Sequence, residues 1–173
     1  MLARKLETML GVKKVIIIPG DYEKRPEVLK EMGGKAFEYI KGCISDKSII
    51  AVTGGNSTMA VAENAKAVDK KDVIVVPAIG GNNERHATQA NAVAEKLASK
   101  INGSYYPLYL PQNISEEMLK AMLADPNISK VVELIGRSDV FIFGLSTFDQ
   151  IAKKRKLDEE TKKYLQRKGA FAE

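Results

Sequence analysis

The chain has 173 residues, 45% hydrophobic and 28% charged, which suffices for one globular α/β domain with a core and excludes a low-complexity polypeptide. Its net charge of +5, from 27 basic against 22 acidic residues, is too mild to demand a nucleic-acid surface, and no RNA-binding or zinc-finger motif is present. The single cysteine, Cys43, excludes an internal disulfide and suits a reducing cytoplasm, while no apolar run approaches a membrane span and no secretory signal is visible.

Leu2, Leu6, Met9 and Leu10 fall at helical spacing, so residues 1–10 read as a short amphipathic helix stopped by Gly11. Val15 to Ile18 reads as a buried strand ended by Pro19-Gly20. Pro26 suits the first turn of a helix reaching about Cys43, with Val28, Leu29, Met32, Phe37 and Ile40 inward. Gly33-Gly34 lies inside that helix. Glycine costs about 1 kcal/mol there, so close packing against a neighbour is expected.

Ile49 to Val52 is the second expected strand, and the stretch around which the chain is organised. It runs into Thr53-Gly54-Gly55-Asn56-Ser57-Thr58 and then a helix to about Val68. Gly54 and Gly55 can take positive φ and place no side chain in the way. Asn56, Ser57 and Thr58 are all suitable N-caps. The first turn of a helix presents unpaired N–H groups and a positive dipole end. The stretch is therefore either a phosphate socket or an ordinary capped turn.

Val73 to Val76 is the third expected strand, ending in Pro77-Ala78-Ile79-Gly80-Gly81. A helix from about Glu84 to Lys100 follows, punctuated by Asn102-Gly103. It would carry Arg85, His86, Gln89 and Asn91, with Arg85 and Gln89 one turn apart. His86, the single histidine, could be a base, a phosphate donor or a solvent-facing residue. Tyr105 to Leu110 is the fourth strand, and Pro107 assigns it an edge or irregular position. Ser115 caps a short helix, Ile128 to Ile135 forms another, and Val140 to Phe143 is the fifth strand, ending in Gly144-Leu145-Ser146-Thr147. Ile151 to Arg155 and Glu159 to Arg167 read as helices. The basic excess concentrates here, in Lys153-Lys154-Arg155-Lys156 and from Lys162 to Lys168, and reads as a solvated helical face.

Continuous apolar strands alternating with helices mean a mainly parallel sheet covered on both faces: a Rossmann-like three-layer α/β sandwich. Three strands end in glycine-bearing turns, and in open α/β sheets the ligand crevice lies at those carboxyl ends. The G-x-x-x-x-G-K-[ST] and G-x-G-x-x-G patterns are absent, and no nucleophile elbow is present, so no ATP, NAD or other cofactor is implied. No metal ligand set is apparent either. The residues suit binding a polar anion better than transforming it.

Lys14 to Gly20, Ala51 to Ala60, Val76 to Gly81 and Gln89-Ala90-Asn91 together resemble the sugar-binding domain of SorC/DeoR-type bacterial transcription regulators. The resemblance covers nearly the whole chain. It implies a fold like the sugar-phosphate isomerases and deaminases, without their catalysis. It also implies that Gly54, Gly55, Asn56, Ser57 and Thr58 hold a phosphate, that Gln89 contacts the sugar, that Lys154 supplies a cation, and that Glu173 accepts sugar hydroxyls. The implied ligand is a phosphorylated sugar such as fructose-1,6-bisphosphate or a related glycolytic intermediate. The implied assembly is a cytoplasmic homo-oligomer that meets DNA only through a helix-turn-helix domain preceding this sequence, with no membrane contact. Residues 1–12 would then be the remnant of a linker helix and 13–173 an effector-binding domain lacking its C-terminal part. Glycolytic members carry threonines where this chain has Asn56-Ser57, and can carry arginine where Ile79 stands, a departure that bears on a second phosphate. Two rival readings remain: a sugar-phosphate isomerase or deaminase with His86 or Asp149 as base, and a plain oligomerisation module with structural glycine turns.

Overall fold

A computed structural model describes residues 2–22, 24–81, 86–112, 114–154, 157–170 and 172, except for the side chains of His86 and Lys154. The chain divides into two compact units, Met1–Ile142 and Phe143–Glu173.

The first unit opens with helix α1 (Leu2–Leu10), none of whose residues is buried, and Gly11 ends it at φ +64°. Val15 to Ile18 is not a strand. Ile16 and Ile17 remain more than 40% exposed, and the Val15 N–H donates to the Glu7 carboxylate at 2.9 Å rather than to a ladder. The run has the composition of a buried strand, but a strand exists only where a neighbour supplies hydrogen bonds, and neither edge of the sheet pairs with it.

Helix α2 (Pro26–Lys41) buries Val28, Gly33 and Phe37, with Leu29 and Ile40 partly covered; Met32 faces outward instead. Strands β1 (Ile49–Val52) and β2 (Ile74–Pro77) follow, with α3 (Asn56–Asn64) between them. After β2 come a 3-10 turn (His86–Thr88), α4 (Ala90–Ile101) and a two-residue strand, β3 (Ser104–Tyr105). Helices α5 (Glu116–Leu123) and α6 (Pro126–Gly136) lead to β4 (Val140–Ile142).

The four strands form one all-parallel sheet in the order β3-β2-β1-β4. Pro107 suits an edge: Ser104 and Tyr106 donate toward β2, so the missing N–H of Pro107 lies on the side away from the sheet, while the next donor, the Leu108 N–H, is taken by Asn91 Oδ1. Alternation along β1 divides the core. Ile50 and Val52 join Phe37, Val61, Val93, Leu97 and Ile101 on one side of the sheet. Ile49 and Ala51 join Val76, Leu108 and Val131 on the other. The Asp139 carboxylate accepts the Ile49 N–H at 2.9 Å and its own N–H donates to the Ile49 carbonyl, which holds β4 in register beside β1.

Asp125 caps α6 by accepting the N–H groups of Asn127 and Ile128. Asp125→Ala is expected to cost about 1 kcal/mol, read as a fall of roughly 2–4 °C in the midpoint of thermal unfolding.

The second unit contains α7 (Phe148–Lys154), α8 (Glu159–Arg167) and an antiparallel bridge between Thr147 and Ala172. Asp158 caps α8, and the hydrogen bonds it accepts from Thr161 hold its carboxyl below the usual carboxylate range.

Candidate functional site

Strand order reverses between β1 and β4. The chain steps from β1 to β2 to β3 in one direction, then returns to the far side of β1. In open α/β sheets such a switch point leaves a crevice at the strands' carboxyl ends. The residues leaving β1 there are Thr53, Gly54 and Gly55, and the Thr53 N–H donates to the Ile142 carbonyl at 3.0 Å.

Each of the two glycines has its own reason. A Cβ on Gly54 would lie 2.6 Å from the Thr88 carbonyl oxygen and 3.0 Å from the Ala90 nitrogen. Gly54 therefore lets this turn touch the backbone that opens α4. Gly55 sits at φ 138°, ψ 165°, in a region that side chains disfavour, and donates its N–H to the Thr88 carbonyl at 2.8 Å.

Gly55, and none of Asn56, Ser57 or Thr58, is the N-cap of α3. The positive φ decides this, because it places the bend one residue before the polar run. Asn56 and Ser57 are exposed, whereas Thr58 is buried and its hydroxyl donates to the Gly55 carbonyl at 3.0 Å. The first bond of the helical ladder runs from the Met59 N–H to that same carbonyl. The amides of Asn56, Ser57 and Thr58 precede it and receive no side-chain cap.

The helix expected from Glu84 also begins later. The α-helix starts at Ala90 after the 3-10 turn, and Gln89 is its N-cap with extended backbone, φ -70°, ψ 156°. Arg85, expected one turn before Gln89, lies outside the described residues. The Gln89 Oε1 lies 3.4 Å from where a Cβ on Gly81 would stand. The structure therefore brings together Gly54, Gly55, Asn56, Ser57, Thr58 and Gln89, with Gly81 beside them.

Electrostatics distinguish this place. The helices α3 and α4 open side by side, and neither carries an acid in its first turn or a side-chain cap. By contrast α5, α6 and α8 are capped by Ser115, Asp125 and Asp158, and α2, α5 and α8 carry acids in their first turns. Among the described residues, no side-chain cap or first-turn acid offsets the two positive dipole ends at the mouth of β1. Among the described residues no cluster of histidine, cysteine or carboxylate groups could hold a metal ion.

Lys154 ends α7 in the second unit, and Glu173 and the side chain of Lys154 lie outside what the structure describes. Within that unit a cavity of about 500 Å³ between α7 and α8 is lined by Phe148, Asp149, Lys153, Lys162 and Lys163, among others.

Over residues 1–173 the chain matches the family described as "Putative sugar-binding domain". The chain belongs to that family. The sugar-binding domain is 32% identical to the central glycolytic genes regulator of Bacillus subtilis over 174 residues, covering all of this chain and 51% of that protein. Against the central glycolytic genes regulator of Priestia megaterium it is 33% identical, covering 88% of this chain and 46% of the relative. It thus spans about half the length of the curated relatives it matches.

Among solved structures, the domain superposes with a TM-score of 0.87 on a "putative SorC family transcriptional regulator" from Enterococcus faecalis, at 28% identity, covering 99% of this chain and 71% of that one. The full-length sorbitol operon regulator SorC from Klebsiella pneumoniae shares the fold at a TM-score of 0.75 and 18% identity, over 84% of this chain and 49% of that one. These findings bear out the resemblance carried by the glycine turns and the Gln89-Ala90-Asn91 motif, and the α/β class with its parallel sheet.

Two features of the site were invisible in the sequence. One is the Thr88 carbonyl that receives Gly55. The other is the role of Asn91, whose partners lie 14 and 17 residues away.

Proposed function

We propose that this domain is the effector sensor of a bacterial transcription regulator, and that its ligand is a phosphorylated sugar, fructose-1,6-bisphosphate or a related glycolytic intermediate. The observation that carries this reading is the pair of adjoining, uncapped and acid-free N-termini of α3 and α4. A phosphate between them would accept the amides of Asn56, Ser57 and Thr58 and meet the positive ends of both helix dipoles. Gly54 and Gly55 would let it approach bare backbone. Gln89, a neutral group that both donates and accepts, suits a sugar hydroxyl. Lys154 and Glu173 join the ligand set through the family resemblance, as a cation for phosphate and an acceptor for hydroxyls.

The choice of a glycolytic ligand is supported by two relatives named central glycolytic genes regulators. In the whole regulator, ligand binding would bias subunit packing in a homo-oligomer and so the DNA affinity of a helix-turn-helix domain outside this sequence. The ligand shifts that balance only through its differential affinity for the two states. Binding would proceed without turnover: the groups described around the β1 exit are main-chain amides, the carboxamides of Asn56 and Gln89 and the hydroxyls of Ser57 and Thr58, none of which is by itself a general base at neutral pH.

A thermal-shift titration of the full-length regulator with phosphosugars tests this. At a ligand concentration about 100 times Kd, the expected stabilisation is about 2.7 kcal/mol, read as a rise in the unfolding midpoint. The same sugars without phosphate should leave the midpoint unmoved. An unmoved midpoint with every phosphosugar defeats the reading.

A further inference from the structure

The Asn91 side chain makes three hydrogen bonds to the protein. Its Nδ2 donates to the Leu108 carbonyl at 3.0 Å. Its Oδ1 accepts the Leu108 N–H at 3.0 Å and the Tyr105 hydroxyl at 2.9 Å. Burial, reinforced by Glu95 and Tyr109, pushes the Tyr105 phenol up to about 12, so that hydroxyl is a donor across the whole physiological range. One carboxamide thus grips both polar groups of a buried residue, Leu108, in a segment that has left the sheet.

What that segment does next gives the grip its meaning. Two residues on, the Leu110 carbonyl accepts the Gly81 N–H at 2.9 Å. Gln112 returns two more bonds, from its N–H to the Gly81 carbonyl at 2.9 Å and from its Nε2 to the Gly80 carbonyl at 2.8 Å. A Cβ on Gly80 would stand 2.1 Å from the Leu110 oxygen, so the two strands of chain are pressed together. Gly81 in turn adjoins the Gln89 carboxamide. The path closes on itself, because Gln89 and Asn91 both belong to the opening of α4.

We infer that Asn91 is a positioning residue: by clamping Leu108 it sets the Gly80–Gly81 turn against Gln89 and so fixes the wall of the ligand crevice. Its three bonds all go to protein, and in this reading Gln89 is the member of the motif that meets the ligand. The affinity part of this inference rests on the phosphosugar reading; the geometric part does not.

The test uses Asn91→Ala, with Tyr105→Phe and Asp125→Ala as comparisons. Tyr105→Phe removes one of the three bonds and leaves both bonds to Leu108, while Asp125→Ala destabilises a helix cap elsewhere. In the ligand-free protein, amide hydrogen exchange followed by NMR should show Gly81 and Gln112 exchanging faster in Asn91→Ala. Gly55, bonded to Thr88, should be unaffected. Under conditions where all variants are folded, phosphosugar affinity should fall about tenfold or more in Asn91→Ala, the scale on which outer partners of metal-binding groups act. It should change little in the other two. Unchanged Gly81 exchange overturns the inference outright. Faster exchange with undiminished affinity overturns it as a statement about the site. If the unaltered protein binds no phosphosugar, the proposed function fails, and the exchange result still decides whether Asn91 holds the turn.

Discussion

Replacing Ser57 by aspartate is expected to abolish phosphosugar binding while leaving the fold intact. Ser57 is exposed at the second position of α3, inside the turn whose amides would receive the phosphate. An aspartate there places a carboxylate where the ligand's charge must sit. At a separation of about 4 Å, two unit charges near a protein surface repel by about 4 kcal/mol, and even partial realisation gives at least about a 100-fold loss of affinity, equal to roughly 2.8 kcal/mol. The same aspartate favours the helix dipole by about 0.3–1 kcal/mol. Affinity and stability should therefore move in opposite directions, read by isothermal titration and by thermal unfolding of the same sample. Affinity unchanged by Ser57→Asp would leave the glycine turn a purely structural device.

The second large effect concerns the paired glycines of α2, which sequence alone cannot tell apart. A Cβ on Gly33 would lie 2.3 Å from the Ala60 carbonyl oxygen, 2.5 Å from its carbon and 2.9 Å from the Val61 nitrogen. These are backbone atoms of α3, so no side chain can rotate away; the two helices must separate. Gly33→Ala is expected to cost about 2–3 kcal/mol from this overpacking, lowering the unfolding midpoint by roughly 5–10 °C. Nothing lies within 4 Å of the corresponding position on Gly34. Gly34→Ala is therefore expected to stabilise the protein by up to about 1 kcal/mol, because alanine is the better helix former. Thermal melts of the two variants should fall on opposite sides of the wild type. Equal and small shifts would mean that α2 and α3 are not in backbone contact. Because α3 begins at the ligand turn, Gly33→Ala should also weaken phosphosugar binding, whereas Gly34→Ala should not.

Much of the site was legible. Gly54-Gly55 after an apolar strand marks a turn that approaches other backbone, and the structure places Thr88 to Ala90 against it. The close packing expected of a glycine within α2 is realised at Gly33. Pro107 correctly signalled an edge strand. Ser115 caps α5, as its position predicted. Other features could not be read. Asn56, Ser57 and Thr58 each satisfy the chemistry of an N-cap, yet a glycine holds that place because φ 138° is required there. Val15 to Ile18 has the composition of a buried strand, but pairing depends on a partner that composition does not name. The expected helix through Arg85 and Gln89 starts later, at Ala90, which converts Gln89 from a side chain on a helical face into one at a helix mouth.

The division follows from the range of the forces involved. Hydrophobic period, glycine and proline geometry and cap preferences act within a few residues, so the sequence by itself determined the alternation of strands and helices, the parallel sheet, and the glycine turn at the end of β1. Strand order, the reversal between β1 and β4, the meeting of the two bare helix mouths and the grip of Asn91 on Leu108 join residues 14 to 90 positions apart. Such contacts form only where burial of the whole core brings the segments together, and that is a property of the folded chain rather than of any stretch of it.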